Sequence, residues 1–204
     1  MPLVNKKFEF ELPDNGGVSV AFVGSTRSGK TTFLKHMIDK YFAKHLKVLM
    51  SNSIHAPIYK DMRDIVKSPL YIPKLVKEGY MINKDTKNHY DFLYILDDIV
   101  TGKFDKELLK LLAIYRNSNL SAIISIQSPV LLNSATRGNL NYVMLGKCNS
   151  DEQIEKLIKM YLTSYLDGKN MAEKIKNYRA ATDGFHWIVI NNLSGEVYRT
   201  KLHM

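Results

Sequence analysis

The chain of 204 residues has one cysteine, Cys148, so no internal disulfide can form and a disulfide-stapled secreted scaffold is excluded. It lacks long apolar runs: the longest are strand-sized, against the roughly 20 residues of a membrane-spanning helix. The first residues do not read as a secretory leader, because Asn5, Lys6 and Lys7 interrupt the apolar ones, so none is expected. These absences predict a reducing interior and no stable membrane insertion. Internal repeats, low-complexity tracts and Pro/Gly/Ser linkers are also missing, so residues 1–204 read as a single domain. Acid is the scarcer charge, 20 Asp plus Glu against 29 Lys plus Arg, for a net charge of +9 and a pI near 9.4. That balance favours a polyanionic partner such as nucleic acid or a membrane surface. The basic residues are spread along the chain and single out no contact surface. An apolar fraction of 45% is that of a folded globular protein.

Several elements are legible. Lys7–Leu12 alternates loosely, as an edge strand would, and Asp14-Asn15-Gly16-Gly17 has turn composition. Val18–Val23, Val48–Met50, Ala122–Ile126 and Tyr142–Leu145 are short, mainly apolar segments that read as strands, and Phe92–Leu96 is a continuous apolar run, the mark of a strand covered on both faces. Helical spacing marks Thr31–Phe42, Ile58–Val66, Phe104–Tyr115 and Met171–Tyr178. The form S-x-x-Q at Ser150–Gln153 predicts a capping box opening a helix from Asp151 to about Leu166. Trp187–Asn191 and Val197–Leu202, joined by Asn192–Gly195, predict a closing hairpin. The fold expected is α/β, a three-layer sandwich on a mostly parallel sheet with a C-terminal β-hairpin.

Between the first strand and the first helix stands GSTRSGKTT, which fits G-x-x-x-x-G-K-[ST]. The setting matters more than the pattern: a strand leads in and an amphipathic helix leads out. Such a loop cradles phosphate on the backbone N–H groups of Ser25, Thr26, Arg27, Ser28, Gly29, Lys30 and Thr31, at the positive end of a helix dipole. Gly24 and Gly29 belong where a side chain would collide or φ must be positive. Lys30 suits the β- and γ-phosphates of ATP, the Thr31 hydroxyl one Mg²⁺ position, and Thr32 the α-phosphate.

The pattern calls for a carboxylate at another strand end, and FLYILDD supplies two. Asp97 is assigned to the Mg²⁺ shell and Asp98 to orienting or deprotonating a water, which argues for hydrolysis over transfer to a small acceptor. Gln127 ends the next buried strand, where it can sense the γ-phosphate or the attacking water. Arg116, after the leucine-rich helix, is the candidate arginine finger acting across a subunit interface. Arg137 is the second candidate, and Arg27 could also meet phosphate or a neighbour.

Two further absences bear on the alternatives. A small P-loop nucleoside or nucleotide kinase stays open, since size and loop suit it, but such kinases usually carry an arginine-rich lid and no arginine cluster appears. A guanine-specific switch needs N-K-x-D after the acidic strand; Asn83-Lys84-Asp85 is wrongly spaced and precedes it.

The order of these motifs (Gly24–Thr32, Ile95–Asp98, an Arg ahead of the strand ending in Gln127, then Arg137-Gly138-Asn139) resembles the FtsK/HerA superfamily of ring-forming DNA-pumping ATPases. The nearer likeness is to the poxvirus-type genome-packaging ATPases, and in length and basic character to the packaging NTPases of archaeal turreted icosahedral viruses. The likeness spans roughly Val18–Leu145. Asn117 stands where relatives often carry His, and Asp97-Asp98 where many carry Asp-Glu. The resemblance implies a RecA/FtsK-like P-loop NTPase using ATP and Mg²⁺ to drive double-stranded DNA into a capsid. It further implies a ring of five or six copies, docking at a capsid vertex, and a place in the host cytoplasm during assembly or in the virion.

Overall fold

A computed structural model describes residues 3–10, 17–67, 74, 91–98, 106, 110, 112, 120–128, 132 and 134–201. The elements are β1 (Ser19–Val23), α1 (Lys30–Tyr41), β2 (Leu46–Ser51), β3 (Ile65–Lys67), β4 (Phe92–Asp97), β5 (Leu120–Ile126), α2 (Ser134–Gly138), β6 (Tyr142–Leu145), α3 (Asp151–Leu157), α4 (Met171–Ala181), β7 (His186–Asn191) and β8 (Glu196–Lys201). All eight strands form one sheet in the order β3-β2-β4-β5-β1-β6-β7-β8. Pairing is parallel from β3 through β6 and antiparallel for β7 and β8.

Side-chain alternation splits the core into two layers. Val20 and Phe22 of β1, Leu93 and Ile95 of β4 and Met144 of β6 pack with Phe33, Leu34, Met37 and Ile38 of α1. Ala21, Val23, Tyr94, Leu96, Val143 and Leu145 point the other way, onto Ile154 and Leu157 of α3 and Tyr178 of α4. Both faces are therefore covered, which is why β1, β4, β5 and β6 are buried along their whole length. This is the expected sandwich with its closing hairpin.

Four local expectations are corrected. Ile58–Val66 is not a helix: a 3₁₀ turn covers Pro57–Tyr59 and the chain then enters β3. The Asp64 carboxylate accepts the Lys47 N–H at 2.7 Å and the Lys47 ammonium at 3.2 Å, drawing the segment beside β2. The β-branched pair Ile65-Val66 then suits the pleated surface. Residues 7–10 do not pair as an edge strand. Phe8 and Phe10 instead bury their rings against Phe33, Tyr41, Phe42 and Tyr142, and the ladder contact nearby is a single bridge of Asn5 to Arg199. Ser150 makes no side-chain cap; Asp151 and Glu152 place negative charge on that first turn instead. The side-chain cap is at Asn170, whose Oδ1 accepts the Glu173 N–H at 2.9 Å while Glu173 reaches back to the Lys169 N–H at 2.7 Å.

The helix expected to Leu166 is α only to Leu157 and continues as a π-helical turn, Ile158–Leu162. Thr163 closes that turn with a hydroxyl donated to the Ile158 carbonyl at 3.1 Å. Residues 11–16, with most of the expected turn there, lie outside the described residues. So does most of Phe104–Tyr115, of which Lys106, Lys110 and the buried Leu112 are helical.

Candidate nucleotide-binding site

Parallel pairing brings the strand ends that carry the motif residues to one edge. Val23 is in register with Ile126 on one side and Leu145 on the other; Asp97 pairs with Ser125 and Ser51. The loop after β1, the acidic end of β4 and Gln127 after β5 are thereby neighbours, as carboxyl ends of strands are in a sheet of this kind.

The loop turns through Arg27 at φ 63° and Gly29 at φ 88°. Gly29 is the residue before α1 and has the left-handed conformation that glycine tolerates best. A Cβ on Gly24 would lie 2.8 Å from Ser28 Oγ and 3.3 Å from the Lys147 carbonyl, so a bare Cα fits there. Ser25 anchors the loop from outside: its N–H donates to the Lys147 carbonyl at 2.9 Å, and its hydroxyl accepts the Asn149 N–H at 3.0 Å. The Ser28 N–H turns back to the Ser25 carbonyl at 3.2 Å.

A pocket of about 240 Å³ opens over the loop, lined by Thr26, Arg27, Gly29, Lys30, Thr31 and Thr32 with Tyr59, Asp97, Asp98 and Gln127. Gly24, Ser25 and Ser28 shape the loop without lining it. Lys30 is 8% exposed, and its ammonium donates to the Gly24 carbonyl at 2.6 Å and the Ser25 carbonyl at 2.9 Å. Burial lowers its pKa, and the charges of Asp97 and Asp98 oppose that shift. A cation held in a partly dry site is poised for an anionic ligand.

Asp97 is 2% exposed. Its Oδ2 accepts the Tyr59 hydroxyl at 2.7 Å and the Thr31 hydroxyl at 3.3 Å. Asp98 stands apart, exposed, with φ 53°, a left-handed conformation that Asp adopts more readily than most residues. Its N–H donates to the Ser125 carbonyl at 3.1 Å, its carbonyl accepts Asn52 Nδ2 at 3.3 Å, and its Oδ1 accepts Gln127 Nε2 at 2.8 Å. The adjacent carboxylates thus do different things, one buried beside the Thr31 hydroxyl and the other exposed and bonded to an amide.

Among the described residues no cluster of three or more His, Cys, Asp or Glu could hold a metal. One hydroxyl and one carboxylate, Thr31 and Asp97, is nonetheless a donor set that fits Mg²⁺, which keeps several waters and borrows substrate phosphate oxygens.

Tyr59 and Asn52 were not found from sequence. Both follow β2, where the only available cue is that β2 pairs β4 so that Ser51 meets Asp97. Arg116 lies outside the described residues. Arg137 is in α2, away from the pocket lining, with its Nη1 donating to the Leu132 carbonyl at 2.6 Å.

With this geometry in place, the comparison with known families is decisive. The model of the poxvirus A32 protein family matches residues 5–194. The chain belongs to the poxvirus A32 protein family. Solved structures share the fold of this A32-family chain. The DNA-packaging ATPase B204 of Sulfolobus turreted icosahedral virus superposes with a TM-score of 0.70 at 15% identity, covering 93% of this chain and 100% of that one. The genome packaging NTPase B204 of Sulfolobus turreted icosahedral virus 2, in complex with AMPPCP, gives 0.63 at 17% identity over 93% and 100%. The pCW3 conjugation coupling protein TcpA with ATPγS gives 0.64 at 12% identity over 91% and 60%. No curated protein sequence gives a significant match. No helix among the described residues is long and apolar enough to cross a membrane.

Proposed function

We propose that this protein is a genome-packaging ATPase, which couples ATP hydrolysis to the movement of double-stranded DNA into a viral capsid. The observation that carries the reading is the A32-family match across residues 5–194 of a chain whose phosphate-loop pocket is lined by Lys30, Thr31, Asp97, Asp98 and Gln127. The whole chain, residues 1–204, acts as one nucleotide-binding domain.

Lys30 and the loop N–H groups neutralise the β- and γ-phosphates, at the positive end of α1. Thr31 and Asp97 would hold Mg²⁺, which would supply positive charge to offset that of the phosphates. Asp98 orients a water and takes its proton as the water oxygen bonds to the γ-phosphorus. The bond from that phosphorus to the β-bridging oxygen breaks, and ADP and inorganic phosphate leave. Gln127 fixes Asp98 through its amide and is placed to register the γ-phosphate. Arg116 completes the charge from a neighbouring copy in a ring of five or six. The ring docks at a capsid vertex during assembly in the host. Its basic charge suits the DNA backbone, and such binding weakens steeply with salt.

A small-molecule kinase is the weaker reading, because among the described residues Arg27 is the one arginine lining the pocket, whereas the Asp98–Gln127 pair suits a water. The test is phosphate release with and without double-stranded DNA across protein concentration. A motor shows DNA-stimulated, concentration-dependent release to water. DNA-independent transfer to an added nucleoside would replace this reading with the kinase.

A further inference from the structure

Apart from the loop's own Lys30 and N–H groups, the residues assigned above to the γ-phosphate end lie to one side of the phosphate loop. Asp97 ends β4 and Asp98 follows it, Gln127 follows β5, and β5 separates β4 from β1. A nucleotide whose terminal phosphate faces that side must carry its nucleoside toward the other, where β6 and β7 stand. Strand β7 is antiparallel to β6, with Leu145 opposite Ile188, so its first residues return to the same sheet edge.

At that point the chain presents an exposed aromatic ring. Phe185 is 63% exposed, the highest value among the exposed large apolar side chains of the described residues. It follows Gly184, and both are left-handed, at φ 60° and 61°. For a bulky side chain this conformation is unfavourable and survives only where the surroundings enforce it. The turn is closed by the His186 N–H donating to the Asp183 carbonyl at 3.3 Å and by His186 Nδ1 at 2.6 Å from the same oxygen. The ring lies against the phosphate loop: a Cβ on Gly29 would be 3.3 Å from Phe185 Cδ1. Trp187, two residues on and buried in the α1 layer, packs on Phe33 and Phe22 and anchors the turn to the helix that follows the loop.

We propose that Phe185 is the stacking platform for the nucleobase of the bound nucleoside triphosphate. This rests on the phosphate-loop reading above and adds to it the half of the ligand that the loop does not touch. A flat apolar ring beside Gly29, on the side away from Asp97, offers a base a face to cover, and the covering removes the ring from water. Stacking uses the π-face that every base has, so this contact by itself discriminates little between adenine and guanine.

The test measures equilibrium binding of two probes, ATP and inorganic tripolyphosphate, to the full chain and its variants. Phe185→Ala is expected to weaken ATP binding about tenfold while leaving tripolyphosphate unchanged. Phe185→Trp is expected to retain ATP affinity, and its added indole emission, after subtraction of the Trp187 signal, should respond to ATP and not to tripolyphosphate. Unchanged ATP affinity in Phe185→Ala would overturn the proposal. So would equal weakening of both probes, which would make the ring a support for Gly29. Altered self-association with unchanged affinity would overturn it too, as the mark of a subunit contact. Lys30→Ala separates this from the parent reading: it should lose both probes, and if it keeps both, the phosphate site itself is misassigned.

Discussion

The Tyr59 hydroxyl donates to Asp97 Oδ2 at 2.7 Å, on the same oxygen that the Thr31 hydroxyl approaches at 3.3 Å. Burial and then the Asp97 charge push the phenol pKa well above its ordinary value, so Tyr59 stays a donor throughout the physiological range. It orients the buried carboxylate proposed above to hold Mg²⁺. Tyr59→Phe keeps the ring and removes the bond. Urea unfolding should show a loss of about 1.5–3 kcal/mol, as for hydrogen bonds to charged groups. Outer-shell partners of this kind typically alter metal affinity 10–100-fold, so about tenfold more Mg²⁺ should be needed for half-maximal hydrolysis. An unchanged Mg²⁺ requirement would leave Tyr59 a packing residue.

Lys30 makes a pH-dependent contribution whose sign follows from its burial. The folded chain binds the Lys30 proton less tightly than the unfolded chain, whose lysine keeps the ordinary value of 10.5. Between the lowered folded value and 10.5 the unfolded state holds more protons, so stability rises with pH across that window. Below the folded value the cost of the buried charge is present in full. Lys30→Met should flatten that rise in denaturation series run at increasing pH. It should also abolish stabilisation by ATP, which for the wild type at a hundred times Kd amounts to about 2.7 kcal/mol.

Much of this site was legible because its chemistry is local in sequence. The phosphate loop needs its residues consecutive, and Asp97-Asp98 and Gln127 follow apolar runs long enough to be recognised as buried strands. Tyr59 was not legible, because its role depends on β2 lying beside β4, a pairing no local pattern encodes. Ile58–Val66 was misread for a related reason: its apolar spacing suits a helix, and the Lys47–Asp64 contact that overrides it is long-range. The caps show the limit of short motifs. Ser150–Gln153 and Asn170–Glu173 both match a capping pattern, and only the second makes a side-chain cap. Phe185 gave no signal, since an exposed ring differs from a core ring only in three dimensions.

Asp98 and Gln127 are joined at 2.8 Å and should behave as a unit. Asp98→Asn should reduce kcat by about 10²-fold or more, the usual effect of losing general-base assistance. The KM for ATP should change little, because Lys30, Thr31 and Asp97 are untouched. Gln127→Ala should also lower kcat, by leaving Asp98 free to turn. The double variant should lose much less than the product of the two single losses, since each change already breaks the same pair. Full multiplicative losses in steady-state assays would show that the two residues act independently.

Among the described residues Arg27 is the one arginine lining the pocket, and Arg137 already donates to the Leu132 carbonyl of its own chain. If Arg116 supplies a further charge from a neighbouring copy, Arg116→Ala should bind ATP almost normally and hydrolyse it about 10³-fold or more slowly. Lys30→Ala fails for the opposite reason, having its arginine and lacking its phosphate site. Mixing the two inactive variants creates interfaces at which an intact loop meets an intact arginine. Hydrolysis should then return in part, rising and falling with the mixing ratio. The measurement is phosphate release against that ratio, with co-assembly verified by differential labelling. If mixed rings form and remain inactive, Arg116 acts within its own subunit or in folding, and Arg137→Ala enters the same mixing test.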